Sequence, residues 1–326
     1  MHRPVHRTRT KPRCILLRTC GALLFSGEVA FWQWEDGLGK RNTRGLVSGL
    51  LAASIWGGMY VVSKVVLQVI PPFTLLTLRL VIGALVLGVV VVATRTSRLE
   101  RGQTLKLLAV GVIGYGLSLG LQFVGTKLST ASNGALVTSA TPAFVLLFAP
   151  LVLQEKSTPR GVLALVVATL GVVAVIDPRH VDLSSALFIG NLCLVGAAVT
   201  WALYSVLVRR VSRSTPVLLA STVMLLGGLP VSVPLAVGEV SASAIGPISP
   251  GVVGGVLFLG VIATAAAMFL WNYAFAHLPA ATASLTFFAQ PVVGTLLGWL
   301  FLGELITPTF LLGGALIGAG IFIARE

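Results

Sequence analysis

Charged residues are scarce in this chain. Of its 326 residues, 10% are Asp, Glu, Lys or Arg and 56% are hydrophobic. A soluble protein has about 25% charged residues, so this chain lacks the polar groups needed to cover a globule of its size. The composition is also the opposite of the charged, weakly hydrophobic signature of disorder. We therefore expect an all-α integral membrane protein, because a run of about 20 apolar residues crosses a bilayer as a helix.

Cysteine and histidine are equally rare. Three cysteines, Cys14, Cys20 and Cys193, are too few for a disulfide framework. The four histidines pair with no Cys or carboxylate at metal-ligand spacing, and no phosphate-binding loop occurs. We expect no metal, no cofactor and no enzyme activity.

The net charge of +13 invites a nucleic-acid function, but the basic residues gather at the ends of apolar runs and in residues 1–44. Retention of Lys and Arg on the cytoplasmic side explains such a distribution. With the N-terminus inside, only Lys127 and Arg179 fall on the opposite side. We expect an inner (plasma) membrane protein with both termini cytoplasmic, a basic N-terminal tail over 1–44, and no nucleic-acid partner.

Apolar runs separated by short breaks fill most of residues 45–324, which predicts ten transmembrane helices. The predicted helices are 45–69, 72–94, 104–126, 130–153, 160–176, 186–208, 215–237, 251–276, 280–302 and 306–324.

The chain contains an internal repeat. The segment from Ala140, ATPAFVLLFAPLVLQEKSTPRGVLALVVATLG, aligns with AQPVVGTLLGWLFLGELITPTFLLGGALIGAG from Ala289. The matched pairs are Pro142 with Pro291, Glu155 with Glu304 and Thr158 with Thr307. Each copy has five predicted helices, 45–177 and 186–326 around a linker at 178–185. An odd number of crossings inverts the second copy, as in carriers that open alternately to each side.

The string ASIWGGMYVVSKVVLQVIPPFTLLTLRL (53–80) resembles the start of the EamA repeat of the drug/metabolite transporter superfamily, and the residues paired above are similar to its end. The resemblance implies a ten-helix metabolite exporter or permease whose cavity is formed mainly by helices 1, 3, 4, 6, 8 and 9. It leaves the solute open. The sequence departs from the pattern in its long basic tail and at Val223, which stands near the position corresponding to Arg79.

Polar and aromatic residues inside the predicted helices are the candidates for lining a solute cavity. Such groups in a membrane span face protein or a water-filled cavity. Interfacial anchoring of the aromatics and interhelical hydrogen bonds of the amides are the alternatives. The candidates are Trp56, Tyr60, Gln122, Asn133, Trp201, Tyr204, Asn272 and Gln290.

Lys64 and Arg79 are the two basic residues within the predicted helices, both in the outer part of their spans. We expect them either in a positive outer vestibule that draws a carboxylate-bearing solute, or reaching to the membrane interface. For Lys64, a favourable position at the end of its helix dipole is a further explanation.

Pro142 and Pro291 lie near the centres of predicted helices 4 and 9. Proline removes a helical hydrogen bond, which leaves the carbonyls of Thr138 and Phe287 without their usual donors. We expect kinks that form part of a cavity wall or a hinge, with simple packing bends as the alternative.

Acidic residues are absent from the middle of every predicted helix. Glu155 and Glu304 each stand three residues before a Thr-Pro pair, and Thr158 and Thr307 are suited to cap the following helix, so we predict a structural role for all four. A facilitator, or coupling through another group, is favoured over a carboxylate-based antiporter.

Together these features predict a transporter that moves small organic metabolites, with amino acids among the candidates, by alternating access. A lipid flippase and a non-transporting assembly or sensory subunit are the alternative functions. The partners expected are a small-molecule substrate and the lipid bilayer, and both a monomer and a homodimer fit the sequence.

Overall fold

The computed structural model describes residues 38–96, 99–154, 159–176, 185–212, 215–242 and 245–324. Within these ranges the chain is all-helical and has no strand. Most of the predicted basic tail and most of the linker at 178–185 lie outside the described residues.

Ten helices follow one another in the described part of the chain, and they coincide with the predicted segments to within a few residues, except that the first begins earlier. They are α1 Leu38–Val66, α2 Pro72–Ala93, α3 Arg101–Leu128, α4 Ala131–Leu153, α5 Pro159–Ile176, α6 Ala186–Val211, α7 Val217–Ala242, α8 Pro250–His277, α9, which runs through Ala280–Leu285, Thr286–Phe288 and Ala289–Leu302, and α10 Pro308–Ala324.

Eight helices in the described residues are long and apolar enough to cross a membrane, namely α1 to α4 and α6 to α9. A shorter apolar helix, Pro308–Gly320, lies within α10. These eight helices make the chain a multi-pass membrane protein. That α5 and α10 also cross, giving ten spans, remains a prediction.

Local sequence sets the helix ends. Hydroxyl side chains accept hydrogen bonds from the backbone N–H three residues on, the usual N-cap arrangement. The caps are Thr130 for α4, Ser185 for α6, Ser249 for α8 and Thr307 for α10. At their C-terminal ends α4 and α9 finish in the same way, because Gln154 and Gly303 both adopt the left-handed conformation, with φ of 60° and 63°.

The packing of the helices follows the repeat. Helix α2 packs along α7, and α5 along α10, so each contacts its own counterpart. Helix α1 packs against α8 and α9, and α6 correspondingly packs against α3 and α4. Helix α3 also contacts α7, as α8 contacts α2. Every one of these contacts has its equivalent when the two copies are exchanged.

Two helices contain π-helical turns that periodicity did not predict. They lie at Val112–Ser118 in α3 and at Phe258–Ala266 in α8. A π turn displaces backbone groups from their regular positions and is frequent at functional sites. In α8 the carbonyl of Ala263, within the π turn, accepts hydrogen bonds from Trp56 and Arg79 in other helices.

Pro142 and Pro291 each follow an interruption of the regular α-helix, and their role as kinks or hinges stays a prediction. Helix α4 is interrupted between Ala131–Thr138 and Thr141–Leu153, and Pro142 stands in the first turn of the second stretch, where proline is tolerated. The carbonyl of Thr138, expected to lack a donor, accepts from the hydroxyl of Thr141 at 2.6 Å. In α9 a 3-10 turn, Thr286–Phe288, precedes Pro291.

Candidate solute-binding site

Four large aromatic side chains meet at the centre of the helix bundle. Trp56 of α1 lies edge-on to Trp201 of α6, with ring centroids 5.5 Å apart and an interplanar angle of 87°. Trp56 also lies 5.3 Å from Trp271 of α8, which is 5.0 Å from Phe287 of α9. All four are buried. The cluster thus joins one helix of the first repeat copy to three helices of the second through ring contacts of the favoured type.

A polar cluster borders these rings and draws on four helices. Gln122 of α3 donates its amide hydrogen to the Tyr60 hydroxyl at 2.6 Å, and that hydroxyl lies 2.8 Å from the Thr138 hydroxyl of α4. Gln290 of α9 donates to the same Thr138 oxygen at 2.7 Å. Because Thr138 itself donates to the carbonyl of Gly134, Tyr60 must be the donor to Thr138.

A second polar cluster adjoins the ring of Trp201. The Tyr204 hydroxyl of α6 lies 2.5 Å from the Tyr115 hydroxyl of α3 and 2.9 Å from Oδ1 of Asn272 in α8. Asn272 donates its amide hydrogen to Ser221 of α7 at 2.9 Å. All four side chains are buried. The cluster satisfies polar groups that would otherwise be costly inside a bilayer.

A small cavity lies between the rings and the first polar cluster. Its volume is about 20 Å³, close to the space that one water molecule needs. Five of the predicted residues line it, Trp56, Tyr60, Gln122, Trp201 and Gln290. In this structure the candidate site has polar and aromatic walls but no room for a metabolite.

Three predicted residues lie away from the cavity lining. Tyr204 and Asn272 belong to the second polar cluster. Asn133, at the start of α4, donates to the Ser129 hydroxyl at 3.2 Å and to Oδ1 of Asn191 in α6 at 3.3 Å. In this conformation Asn133 connects α4 to α6.

The two intramembrane cations occupy different surroundings from the expected outer vestibule. Arg79 is fully buried, with an exposed fraction of 0%, and neither lines an open vestibule nor reaches an interface. It donates to the Thr264 hydroxyl at 2.7 Å. Lys64 is part-buried and donates to backbone carbonyls at the end of α3, including that of Thr126 at 3.1 Å. Lys64 stands in the last turn of α1, where the helix-dipole explanation placed it, but its ammonium group contacts the C-terminal end of α3, a different helix.

The carboxylates in the described part of the chain stand at helix ends. Glu304 accepts from the backbone N–H of Ala131 and Ser132, both at 2.7 Å, and so caps α4 of the other copy. Thr307 accepts from the N–H of Phe310. Glu155 and Thr158, predicted to act in the same way, lie outside the described residues.

Sequence reasoning missed several residues of the site. Trp271 and Tyr115 were overlooked because the repeat comparison favoured positions with an aromatic or polar counterpart. Thr138 appeared only as the carbonyl affected by Pro142. Glu239, missed as well, accepts from the backbone N–H of Thr74 at 2.8 Å and caps α2. Its signal was available, since an acidic residue is rare in this sequence.

The family relationship follows from a double match. The EamA-like transporter family matches residues 43–176 and, a second time, residues 188–325. The chain belongs to the EamA-like transporter family. The two matched stretches lie close to the two copies of the repeat read from the sequence.

Full-length relatives agree with this family assignment. A protein of Archaeoglobus fulgidus named an uncharacterized transporter is 25% identical over 276 residues, 84% of this chain and 95% of that protein. YoaV of Bacillus subtilis, also named an uncharacterized transporter, is 26% identical over 82% of this chain and 92% of YoaV. A solved crystal structure covers 86% of this chain and 97% of its own with a TM-score of 0.67; at 21% identity it shows a common fold. This EamA-like protein is a multi-pass membrane transporter.

Proposed function

We propose that this transporter moves a small organic solute through the central cavity by alternating access, as an exporter in the plasma (inner) membrane. The observation that carries the proposal is the composition of the cavity wall. Aromatic rings and hydrogen-bonding side chains from both repeat copies surround it, while aliphatic side chains dominate the helices elsewhere. Sites for small molecules combine apolar walls with a few placed polar groups in this way.

The packing of the helices supports an inverted repeat. Each of the helix contacts described above has an equivalent with the two copies swapped, as expected for two halves related by a two-fold axis. If α5 and α10 cross the membrane as well, each copy has five spans, and the axis lies in the membrane plane. Rocking of one half against the other would then open the cavity to each side in turn.

The small volume of the cavity fits one state of such a cycle. A metabolite needs several times 20 Å³, so binding requires that the walls separate. The hydrogen bonds across the cavity from Gln122 and Gln290 to the pair formed by Tyr60 and Thr138 would be exchanged for bonds to the solute. Amides suit this role because they both donate and accept.

A lipid flippase fits less well. A groove of about 580 Å³ lies between α1, α8 and α9. Its lining residues are all glycine, valine, leucine or phenylalanine. A lipid headgroup crossing the membrane would need polar partners along its route. An assembly or sensory subunit would have no evident use for two matched halves around a polar cavity.

Flux in proteoliposomes tests the proposal. Vesicles with purified protein would be loaded with a panel of labelled amino acids and other small metabolites. We expect saturable release of at least one compound, absent from empty vesicles and at least tenfold slower with Gln290→Leu. Absence of flux across the whole panel from correctly folded protein would refute the transport proposal.

Reporter tags test the topology separately. Tags at both termini should report the cytoplasm, and a tag inserted between residues 243 and 249, after α7, should report the outside. Any other pattern would contradict the ten-span inverted arrangement without affecting the flux result.

A further inference from the structure

Arg79 is a buried cation beside the cavity. It lies on α2, and its guanidinium contacts only neutral groups. Nε donates to the Thr264 hydroxyl at 2.7 Å, Nη2 to the carbonyl of Ala263 at 3.3 Å and Nη1 to the sulfur of Met59 at 3.4 Å. The central carbon of the guanidinium, Cζ, lies 5.1 Å from the ring centre of Phe123. Within the residues that the structure describes, no carboxylate contacts it.

This environment leaves the charge poorly compensated. A guanidinium carries five N–H donors and cannot lose its proton in a protein. Here one of three hydrogen bonds ends on a thioether sulfur, a weak acceptor. Burying a cation without a counter-ion costs several kcal/mol, so an anion placed beside Arg79 would be strongly favoured.

Met59 stands between Arg79 and the cavity. It contacts the guanidinium through its sulfur and also lines the cavity. Methionine is unbranched and flexible, so rotation of this one side chain would connect the guanidinium to the cavity. The carbonyl of Ala263 makes a second link, because it accepts from Nη2 of Arg79 and, at 3.0 Å, from the indole N–H of Trp56.

The cavity wall offers another donor without an acceptor. Trp201 lines the cavity, is 6% exposed, and its buried indole nitrogen has no hydrogen-bond partner. Buried polar groups are normally paired. A ligand that carries a hydrogen-bond acceptor would satisfy both the indole N–H of Trp201 and the guanidinium of Arg79.

We propose that Arg79 binds the carboxylate of the transported solute, and that Trp56, Trp201 and Phe287 enclose its apolar or aromatic part. The substrate class is therefore small monocarboxylates with an apolar side chain. This rests on the proposed transport function. A single anionic group is specified, because Val223 stands near the corresponding position of the second copy and carries no charge.

Two probes of nearly equal size separate charge recognition from packing. N-acetyl-L-phenylalanine carries a carboxylate, and N-acetyl-L-phenylalaninamide carries a neutral amide in its place. Binding to purified protein would be followed by intrinsic tryptophan fluorescence, since Trp56 and Trp201 line the cavity. We expect the carboxylate to bind at least about tenfold more tightly, the gain typical of a hydrogen bond to a charged group.

Variants of Arg79 and its neighbour identify the source of that preference. Arg79→Met should abolish it while leaving amide binding within about twofold, and Arg79→Lys should restore part of it. Thr264→Val is the matched control, because it removes a contact between α2 and α8 but keeps the charge, and the preference should persist. Melting temperatures would be recorded for every variant.

The outcomes are distinct. Equal binding of both probes to the wild-type protein, or binding of neither, overturns the proposal whatever the variants do. A preference that survives Arg79→Met also overturns it. If labelled amide and carboxylate are transported equally well, the carboxylate assignment fails while the transport function stands. Absence of flux for the full metabolite panel instead removes the proposed function.

Discussion

Lys64 and Arg209 make the same contact in the two halves of the protein. Lys64 donates to the carbonyl of Ser129, the first residue after α3, and Arg209 donates to that of Leu278, the first residue after α8. The two cations also align in the sequence repeat, because Arg209 follows Lys64 by 145 residues, just as Trp201 follows Trp56. Each places a positive charge at the negative end of a helix in its own copy, which stabilises that end.

We predict that these contacts control opposite ends of the cavity. In a background with Cys14, Cys20 and Cys193 replaced by serine, single cysteines at positions 129 and 278 would report access to an impermeant maleimide. Lys64→Met should raise labelling at 129 about tenfold and leave 278 unchanged, because charged hydrogen bonds contribute about 1.5–3 kcal/mol. Arg209→Met should have the reverse effect.

Sealed vesicles of both orientations show from which side of the membrane each position is labelled. With inverted copies, position 129 labels from one side of the membrane and position 278 from the other. Labelling of both from the same side would contradict the inversion, and unchanged labelling in both variants would show that the cations do not restrain these ends.

Substitution of Gln290 should impair transport without unfolding the protein. Its side-chain amide donates a hydrogen bond to the Thr138 hydroxyl across the cavity. Leucine has a similar volume but no hydrogen-bonding group. We expect at least a tenfold loss of flux for Gln290→Leu, with a fall in melting temperature of only a few degrees. Trp299→Leu, on the same helix but 54% exposed, is the control and should leave flux unchanged. Equal losses in melting temperature and flux would mark Gln290 as a packing residue.

The cap made by Glu239 should contribute measurably to stability. Its carboxylate accepts from the N–H of Phe73 at 3.0 Å as well as from Thr74, at the positive end of α2. Glu239→Ala should lower the free energy of unfolding by about 1–2 kcal/mol. Glu100 is a matched control, because it precedes α3 with no side-chain cap and is exposed, so Glu100→Ala should change little. Chemical denaturation in detergent measures both.

The helices were predictable because each is a long apolar run bounded by prolines, hydroxyl caps or basic residues. Trp56, Trp201 and Gln290 were identifiable as cavity residues because polar or aromatic groups in a lipid-spanning helix must face protein. The repeat then supplied the relation between Lys64 and Arg209, although it did not show that both bond to the helix that ends beside them.

The burial of Arg79 was not predictable from its position. It lies in the first half of α2, which suggests an interface, but contacts with the π turn of α8, with Met59 and with Phe123 enclose it. Periodicity cannot reveal a π turn, since it changes backbone hydrogen bonding without changing the apolar pattern. Helix–helix contacts of this kind depend on the partner's geometry.

Close approach of α3 and α7 gives a last prediction. A methyl group added at Gly111 would lie 2.0 Å from the carbonyl oxygen of Met224, and one at Gly227 would lie 2.3 Å from that of Leu108. Both obstacles are backbone atoms, which cannot move without separating the helices. Gly111→Ala should therefore destabilise the protein by about 1–3 kcal/mol or more.

Gly88→Ala provides the comparison, because nothing lies within 4 Å of the added methyl group. Alanine also favours the helical backbone over glycine by about 0.5–1 kcal/mol, so the melting temperature should stay the same or rise slightly. Thermal unfolding of both variants in the same detergent measures the difference. Equal melting temperatures would mean that α3 and α7 are further apart in the folded protein than this packing requires. The set of equivalent helix contacts in the two copies would then lack the contact between α3 and α7.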